Sequence, residues 1–250
     1  MRSPWFIPVK RLSGPVIRLF CLPFAGGTAA AYRAWAAYLP NSVEIVPVEL
    51  PARGMRFSET PFVSSEPLIE ALAEAIQPYL DTPFALFGHS MGALLSFELA
   101  RLLSSRHGVT PAHLFVSGHR APHLEATDTT THLLSDQDLL IKVRQIDGTP
   151  KEVLEQHELM QLMLPILRAD FTICDTYVFQ PGAPLPCSIS AFGGFQDPMV
   201  KRNDIAAWRE HTSAEFFVHM FPGGHFFLQT SQVAFIKTLV QDLAQILTRL

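Results

Sequence analysis

A serine flanked by glycines carries the most pointed chemistry in this chain: Gly88-His89-Ser90-Met91-Gly92 fits the G-x-S-x-G pattern of a nucleophile held on a sharp turn. The pattern is short, so its setting decides its weight. An apolar run, Phe84–Phe87, leads in, and a helical pattern with Leu94, Leu95, Phe97, Leu99 and Leu102 leads out. That is the strand–turn–helix context in which two glycines let the backbone lift a serine hydroxyl clear of a sheet. A mere helix N-cap at Ser90 would not need glycine on both sides.

A serine hydroxyl attacks only when a base removes its proton. Among ten histidines, His225 is the expected base. It closes Phe221-Pro222-Gly223-Gly224-His225 just after the last strand candidate, where a Gly-Gly loop can aim a ring at the elbow. His89 adjoins the serine, but a tight turn points neighbouring side chains apart. His119 and His123 are four residues apart, yet Pro122 between them spoils the helix that a metal pair would require, and no metal is expected. The base in turn needs a carboxylate to fix its tautomer and stabilise the imidazolium. Asp197, in Gly193-Gly194-Phe195-Gln196-Asp197-Pro198, follows the fifth strand candidate and gives the chain order Ser90, Asp197, His225 of the α/β-hydrolases. The alternative for Asp197 is a cap on a helix with Pro198 at its first position. Asp204 is the rival acid, although it reads as a helix-start residue, and Asp170 and Asp175 fall in or beside a helical insert. Two backbone donors complete the set, because a tetrahedral intermediate carries negative charge. One is the N–H of Met91. The other is expected in Leu22-Pro23-Phe24-Ala25-Gly26-Gly27, at Ala25, with Phe24 as the fallback. The glycine pair there lacks the Lys-Ser/Thr ending of a phosphate-binding loop.

The elements that must position these groups alternate. Strands are expected over Val16–Leu22, Val43–Val48, Phe84–Phe87, His113–Val116, Ile189–Phe192 and Phe216–Met220, each apolar at nearly every position. Continuous apolar runs mark strands covered on both faces, as in a parallel sheet. Helical stripes lie between and after them: Leu68, Leu72, Ile76 and Tyr79 in Pro67–Tyr79, and Val233, Ile236, Val240, Leu243, Leu247 and Leu250 at the C-terminus. The expected fold is α/β, a mostly parallel, doubly wound sheet of α/β-hydrolase type in one domain, 1–250. From about Glu125 to Tyr177 the rhythm breaks. Two helical patterns occupy this stretch. One carries Leu133, Leu134, Leu139, Leu140, Val143 and Ile146. The other starts at a capping box of Thr149, Pro150 and Glu152 and runs through Leu159, Met163, Ile166 and Leu167. The stretch 125–177 reads as a helical lid over the carboxyl ends of the strands, the alternative being two ordinary crossover helices.

Composition narrows the function classes. Of 250 residues, 48% are hydrophobic and 17% charged, which excludes a mainly disordered chain. A net charge of −4 excludes the global basic field of a nucleic-acid binder. The cysteines Cys21, Cys174 and Cys187 have no metal spacing and form no even disulfide framework, so reduced thiols are expected. The N-terminal MRSPWFIPVKR lacks the ~7–15-residue apolar core of a secretory signal. The two long uncharged stretches, Thr176–Gln196 and Phe216–Ile236, are broken by prolines and glycines. A soluble, cytoplasmic protein with no membrane contact is expected.

These strings together resemble one family, the stand-alone, editing (type II) thioesterases of nonribosomal peptide and polyketide synthesis. The likeness runs over most of the chain. It rests on Leu22–Gly27, Pro51-Ala52-Arg53-Gly54, the elbow, Ser117-Gly118-His119-Arg120-Ala121-Pro122, Leu164-Pro165-Ile166-Leu167-Arg168-Ala169-Asp170-Phe171, Gly193–Pro198 and Gly223-Gly224-His225-Phe226-Phe227. The elbow is general to hydrolases; the Ala-Gly-Gly loop and the lid string are more specific. The resemblance implies a monomeric serine hydrolase without a cofactor. Its substrates would be stalled or wrong acyl groups held as thioesters on phosphopantetheine arms of acyl or peptidyl carrier proteins. Such carriers are acidic, and Arg53, Arg56, Arg120 and Arg168 are the candidate docking cations. An esterase or lipase on free oxygen esters would use the same triad, and a hydrolase-fold binding protein would use none of it.

Overall fold

A computed structural model describes residues 3–9, 12–146 and 156–250. Among them the chain forms a six-stranded sheet, β1 (Ile17–Leu22), β2 (Val43–Pro47), β3 (Phe84–His89), β4 (His113–Ser117), β5 (Ser188–Gly194) and β6 (Phe216–Phe221), in the order β2-β1-β3-β4-β5-β6. Every neighbouring pair is parallel. Each expected strand is present, because a strand buried on both faces writes its burial into the sequence as an unbroken apolar run.

Helices cover both faces. One side carries α1 (Ser65–Ile76) and α2 (Met91–His107), which pack Leu68, Leu72, Ile76, Leu95, Leu99 and Leu103 against Phe20, Leu86 and Leu114. The other carries a 3₁₀ helix over Ala29–Ala37 and the C-terminal helix, which close over Phe87, Phe115 and Phe192 with Tyr32, Trp35, Phe235 and Leu239. The 3₁₀ segment is not among the expected elements: its buried residues Ala29, Tyr32 and Trp35 recur every three positions, a 3₁₀ rather than an α period, and alanines on both faces blur the pattern.

Between β4 and β5, the described residues form no strand. They fold as a 3₁₀ turn (Thr131–Leu133), α3 (Asp136–Ile146) and α4 (His157–Thr176). Leu139, Val143, Met160, Leu164 and Leu167 make a small apolar cluster of their own. Leu133 does not join α3: it sits in the 3₁₀ turn and is 71% exposed. The Ser135 hydroxyl accepts from Asp138 N–H and starts the helix only after it. The expected capping box at Thr149, Pro150 and Glu152 lies outside the described residues. Two short helices, α5 (Arg202–Ala206) and α6 (Phe227–Thr230), precede α7 (Gln232–Leu247). The C-terminal stripe is shorter than its periodicity, since Val233 in the first turn of α7 and Leu250 beyond its end are both exposed. Among the described residues, no helix is long and apolar enough to cross a membrane.

The sheet's topology fixes where a site can form. The chain leaves β1 for β2 on one side, while β3 lies on the other, so the loops after β1 and β3 diverge and leave a crevice at the carboxyl ends. Leu22 pairs with Gly88 at that edge, which sets the Phe24–Gly27 loop beside the elbow.

Candidate active site

Ser90 stands between β3 and α2 with φ 54° and ψ −122°, a backbone conformation that non-glycine residues rarely hold. The turn is tight enough that a Cβ on Gly88 would meet Gly92 O at 1.9 Å, and one on Gly92 would meet Leu22 O at 2.3 Å. Both flanking glycines are therefore demanded by close approach. Ser90 N–H donates to Ser117 O at 2.8 Å, tying the elbow to β4.

Asp197 and His225 meet. The His225 Nδ1–H donates to Asp197 Oδ2 at 2.8 Å, with both side chains buried. This bond commits the ring to the tautomer whose Nε2 carries a lone pair. Nε2 itself has no hydrogen-bond partner. Ser90 and His225 line the same cavity, although no hydrogen bond joins them. Such contacts are commonly long before substrate enters. The other oxygen of the acid, Asp197 Oδ1, accepts from Met199 and Val200 N–H at 2.9 and 3.2 Å. The capping alternative for Asp197 is thus realised as a turn on one oxygen, while the other faces the imidazole. No helix starts at Pro198; α5 starts at Arg202. Asp204 is occupied at that start, accepting from Lys201 N–H at 2.8 Å. Asp175 holds His132 through both its backbone N–H and its ring, and Asp170 pairs with Arg53.

The remaining histidines near the elbow are held away from proton transfer. The His89 ring bonds Ser117 Oγ through Nδ1 at 2.9 Å, packs 5.0 Å from the His225 ring, and is kept neutral because burial depresses its pKa far below the usual range. The His119 Nδ1–H donates to Arg120 O, and burial lowers its pKa to about 3. His123 turns instead to His211, so His119 and His123 share no ligand position.

The two candidate donors come from the elbow and from the loop after β1, which the Leu22–Gly88 pairing sets side by side. Met91 opens α2, where the first amides have no intrahelical acceptor. Ala25 lines the cavity. In the turn Phe24–Gly27 the Gly27 N–H donates to Phe24 O and the Gly26 N–H donates to Asp170 Oδ2, while the amides of Ala25 and of the fallback Phe24, both lining the cavity with Ser90, are not engaged within the turn. The cavity measures about 50 Å³ and is walled by Phe24, Val143, Ile146, Leu167, Phe171, Met199 and Phe226. Of these, Phe171 and Phe226 stand out in the sequence only as members of the family strings, beside Asp170 and His225, and Met199 has no mark beyond lying two residues after Asp197. A larger open cleft of about 820 Å³ lies over α1, α2 and residues 176–186, and none of Ser90, Asp197 or His225 lines it.

The arginines expected to dock an acidic partner are engaged within the chain. Arg53 and Arg56 are buried, on Asp170 and on Glu59 with the Trp5 ring. Arg168 donates to His132 O, Leu134 O and Asp136, and Arg120 to Leu124 O. Each braces a loop.

A parallel sheet with its strained elbow after β3 and a helical insert after β4 places the molecule in the α/β-hydrolase fold class. The model of the thioesterase domain family matches residues 17–243. The chain belongs to that family and is a thioesterase, a hydrolase. It is 42% identical over 245 residues to the gramicidin S biosynthesis protein GrsT of Aneurinibacillus migulanus, covering 98% of this chain and 96% of that one. Among solved structures it resembles the type II thioesterase BorB from the borrelidin biosynthetic cluster (TM-score 0.90, 37% identity, 99% of each chain). It also resembles RedJ, a thioesterase of the prodiginine pathway in Streptomyces coelicolor (TM-score 0.86, 41% identity, 91% of this chain and 90% of that one). The likeness to type II thioesterases read from the motifs holds.

Proposed function

We propose that this thioesterase hydrolyses acyl groups from phosphopantetheine thioesters on carrier proteins, clearing stalled or mis-primed synthases, through an acyl-enzyme on Ser90. The reading rests most on one observation: the Asp197–His225 bond at 2.8 Å, set in the cavity that Ser90 also lines. His225 Nε2 takes the Ser90 proton as Oγ attacks the thioester carbonyl carbon. The oxyanion forms against the N–H groups of Met91 and Ala25. Collapse breaks the C–S bond, and the proton on Nε2 passes to sulfur, freeing the carrier thiol. Water then attacks the Ser90 ester, its proton moving to Nε2 and on to Oγ, and the carboxylic acid leaves. Asp197 keeps the ring in register and balances the imidazolium in both halves.

In this reading residues 1–250 act as one domain, and 125–177 act as a lid whose helices α3 and α4 supply Val143, Ile146, Leu167 and Phe171 as an apolar wall for the acyl chain. The chemistry requires no cofactor. The names of GrsT and BorB, tied to gramicidin S biosynthesis and the borrelidin cluster, support a carrier-bound substrate. The test compares kcat/KM on acyl-carrier-protein thioesters with that on matched oxygen esters. A marked preference for the carrier thioester is expected. A preference for the oxygen ester would replace the assignment with an esterase.

A further inference from the structure

Two of the strings that mark the family, the Pro51–Gly54 turn and the 164–171 stretch, lie more than a hundred residues apart and do no chemistry in the mechanism above. They meet in one buried cluster. Arg53 Nη1 and Nη2 donate to Asp170 Oδ2 and Oδ1, each at 2.8 Å, a bidentate pair with side chains 4% and 1% exposed. Asp170 Oδ2 also accepts from the Gly26 N–H at 2.7 Å. Arg53 reaches further, with Nη1 on Gly27 O and Nε on Pro51 O. Its own turn is held in left-handed backbone at Ala52 (φ 67°) and Gly54 (φ 53°), so the placement of Arg53 is over-determined by its surroundings.

The amide that Asp170 holds matters. Gly26 (φ 73°) is the third residue of the Phe24–Gly27 turn, closed by Gly27 N–H to Phe24 O at 2.8 Å. A positive φ at that position belongs to a type II turn, whose central peptide, Ala25–Gly26, can flip over to type I. The Asp170 carboxylate accepts the N–H of this central peptide and so selects one of the two. A flip would carry the Ala25 carbonyl toward a carboxylate and shift the turn that presents the Ala25 N–H. Asp170 sits on α4 one turn from Leu167, a wall of the acyl cavity, and Leu167 Cδ2 lies 2.6 Å from where a Cβ on Gly26 would stand. The insert that walls the acyl chain thus also grips the donor loop.

We propose that Asp170, oriented by Arg53, is a positioning residue that fixes the Ala25–Gly26 peptide and thereby aims the Ala25 N–H at the developing oxyanion. The inference rests on the reading of Ser90 as nucleophile and Ala25 as donor given above. Asp170 touches no reacting atom. Its role is to make the donor geometry ready before the acyl group arrives, since a preorganised donor costs no reorganisation during reaction.

The experiment measures kcat and KM of wild type, Asp170→Asn and Arg53→Lys on one acyl-pantetheine thioester. It adds the affinity of each for the matching acyl trifluoromethyl ketone, which forms a tetrahedral oxyanion on the serine, and a thermal melt to establish folding. Both variants are expected to lose about 10- to 100-fold in kcat, less than the ~10²–10³ of deleting a donor outright. Ketone affinity should weaken by the same factor while KM stays within about threefold. A contact that only holds the insert in place would move KM or the melting temperature and leave kcat and ketone affinity alone; that result overturns the proposal. Should Asp170→Asn not fold, Arg53→Lys decides by the same criteria, because it keeps the charge and loses the bidentate grip. A wild type that hydrolyses no thioester would overturn the proposed function and this inference with it. An active wild type with indifferent variants overturns this inference alone.

Discussion

Among the described residues, serine, histidine and aspartate come together in two places, and the proposed function assigns proton transfer from serine to one of them. Beneath α7, Ser190 in β5 donates its hydroxyl to Asp242 Oδ2 at 2.8 Å, and His113, at the start of β4, meets Ser190 Oγ at 2.8 Å. The single hydroxyl hydrogen is spent on the carboxylate, so His113 Nε2–H is the donor and Ser190 the acceptor. The His219 Nε2–H adds a second hydrogen bond to Asp242 Oδ2, at 3.1 Å. Ser190 lies mid-strand and fully buried. At the elbow the wiring is reversed: the carboxylate binds the imidazole, the imidazole keeps a free lone pair, and the serine stands on a strained turn at a cavity. The same three residue types give a structural brace or a candidate catalytic relay according to which atom donates and whether a substrate can enter.

The comparison breaks most sharply under alanine. Ser90→Ala is expected to lower kcat in a thiol-release assay by about 10⁶-fold, the scale found when a triad serine is removed. Ser190→Ala should leave kcat within about twofold. Equal loss in both variants would erase the distinction. Next in size, Asp197→Asn should cost about 10⁴-fold, since Asn can keep the Met199 and Val200 turn through one oxygen while losing the charge beside His225. Asp204→Asn should remain near wild type; the opposite ranking would transfer the acid role to Asp204.

The buried histidines outside the elbow set a pH limit on stability. Burial lowers the pKa of His113 and His211 to about 4 and of His119 to about 3. These rings are neutral when folded and take up protons on unfolding once pH falls below the ordinary imidazole value of ~6.5. Their stabilising contribution is therefore complete above about pH 6.5 and is lost as pH falls toward 4. Each contributes a slope of about 1.4 kcal/mol per pH unit in that window. Denaturant unfolding at pH 7, 6 and 5 checks this, and a constant unfolding free energy would contradict it. Smallest of the expected effects, Ser190→Ala should cost about 1–3 kcal/mol, because it strips a partner from a buried carboxylate and a buried imidazole. A neutral result by the same measurement would show that the second cluster braces nothing.

What the sequence discloses follows from how each feature is encoded. The six strands and the order Ser90, Asp197, His225 were legible, because burial on two faces and turn chemistry at glycine are local properties. Arg53 and Asp170 were visible only as members of recurring strings. Their pairing depends on α4 lying across the loop after β1, which no local pattern states. The same holds for Ser190, His113 and Asp242, whose hydrogen-bond directions are set by strand register. Leu133, Val233 and Leu250 show the opposite failure, since an apolar period runs on past the point where a cap, or the end of the packed face, stops the burial.

The central claim, that Ser90 alone among the buried and turn serines is activated, is tested most directly by covalent trapping. The folded protein is treated with a fluorophosphonate and digested, and its peptides are mapped by mass spectrometry. The account predicts one phosphonyl adduct, on the peptide carrying Ser90, absent from Ser90→Ala and strongly slowed in Asp197→Asn. An unlabelled wild type that hydrolyses thioesters, or an adduct that persists in Ser90→Ala, would contradict it.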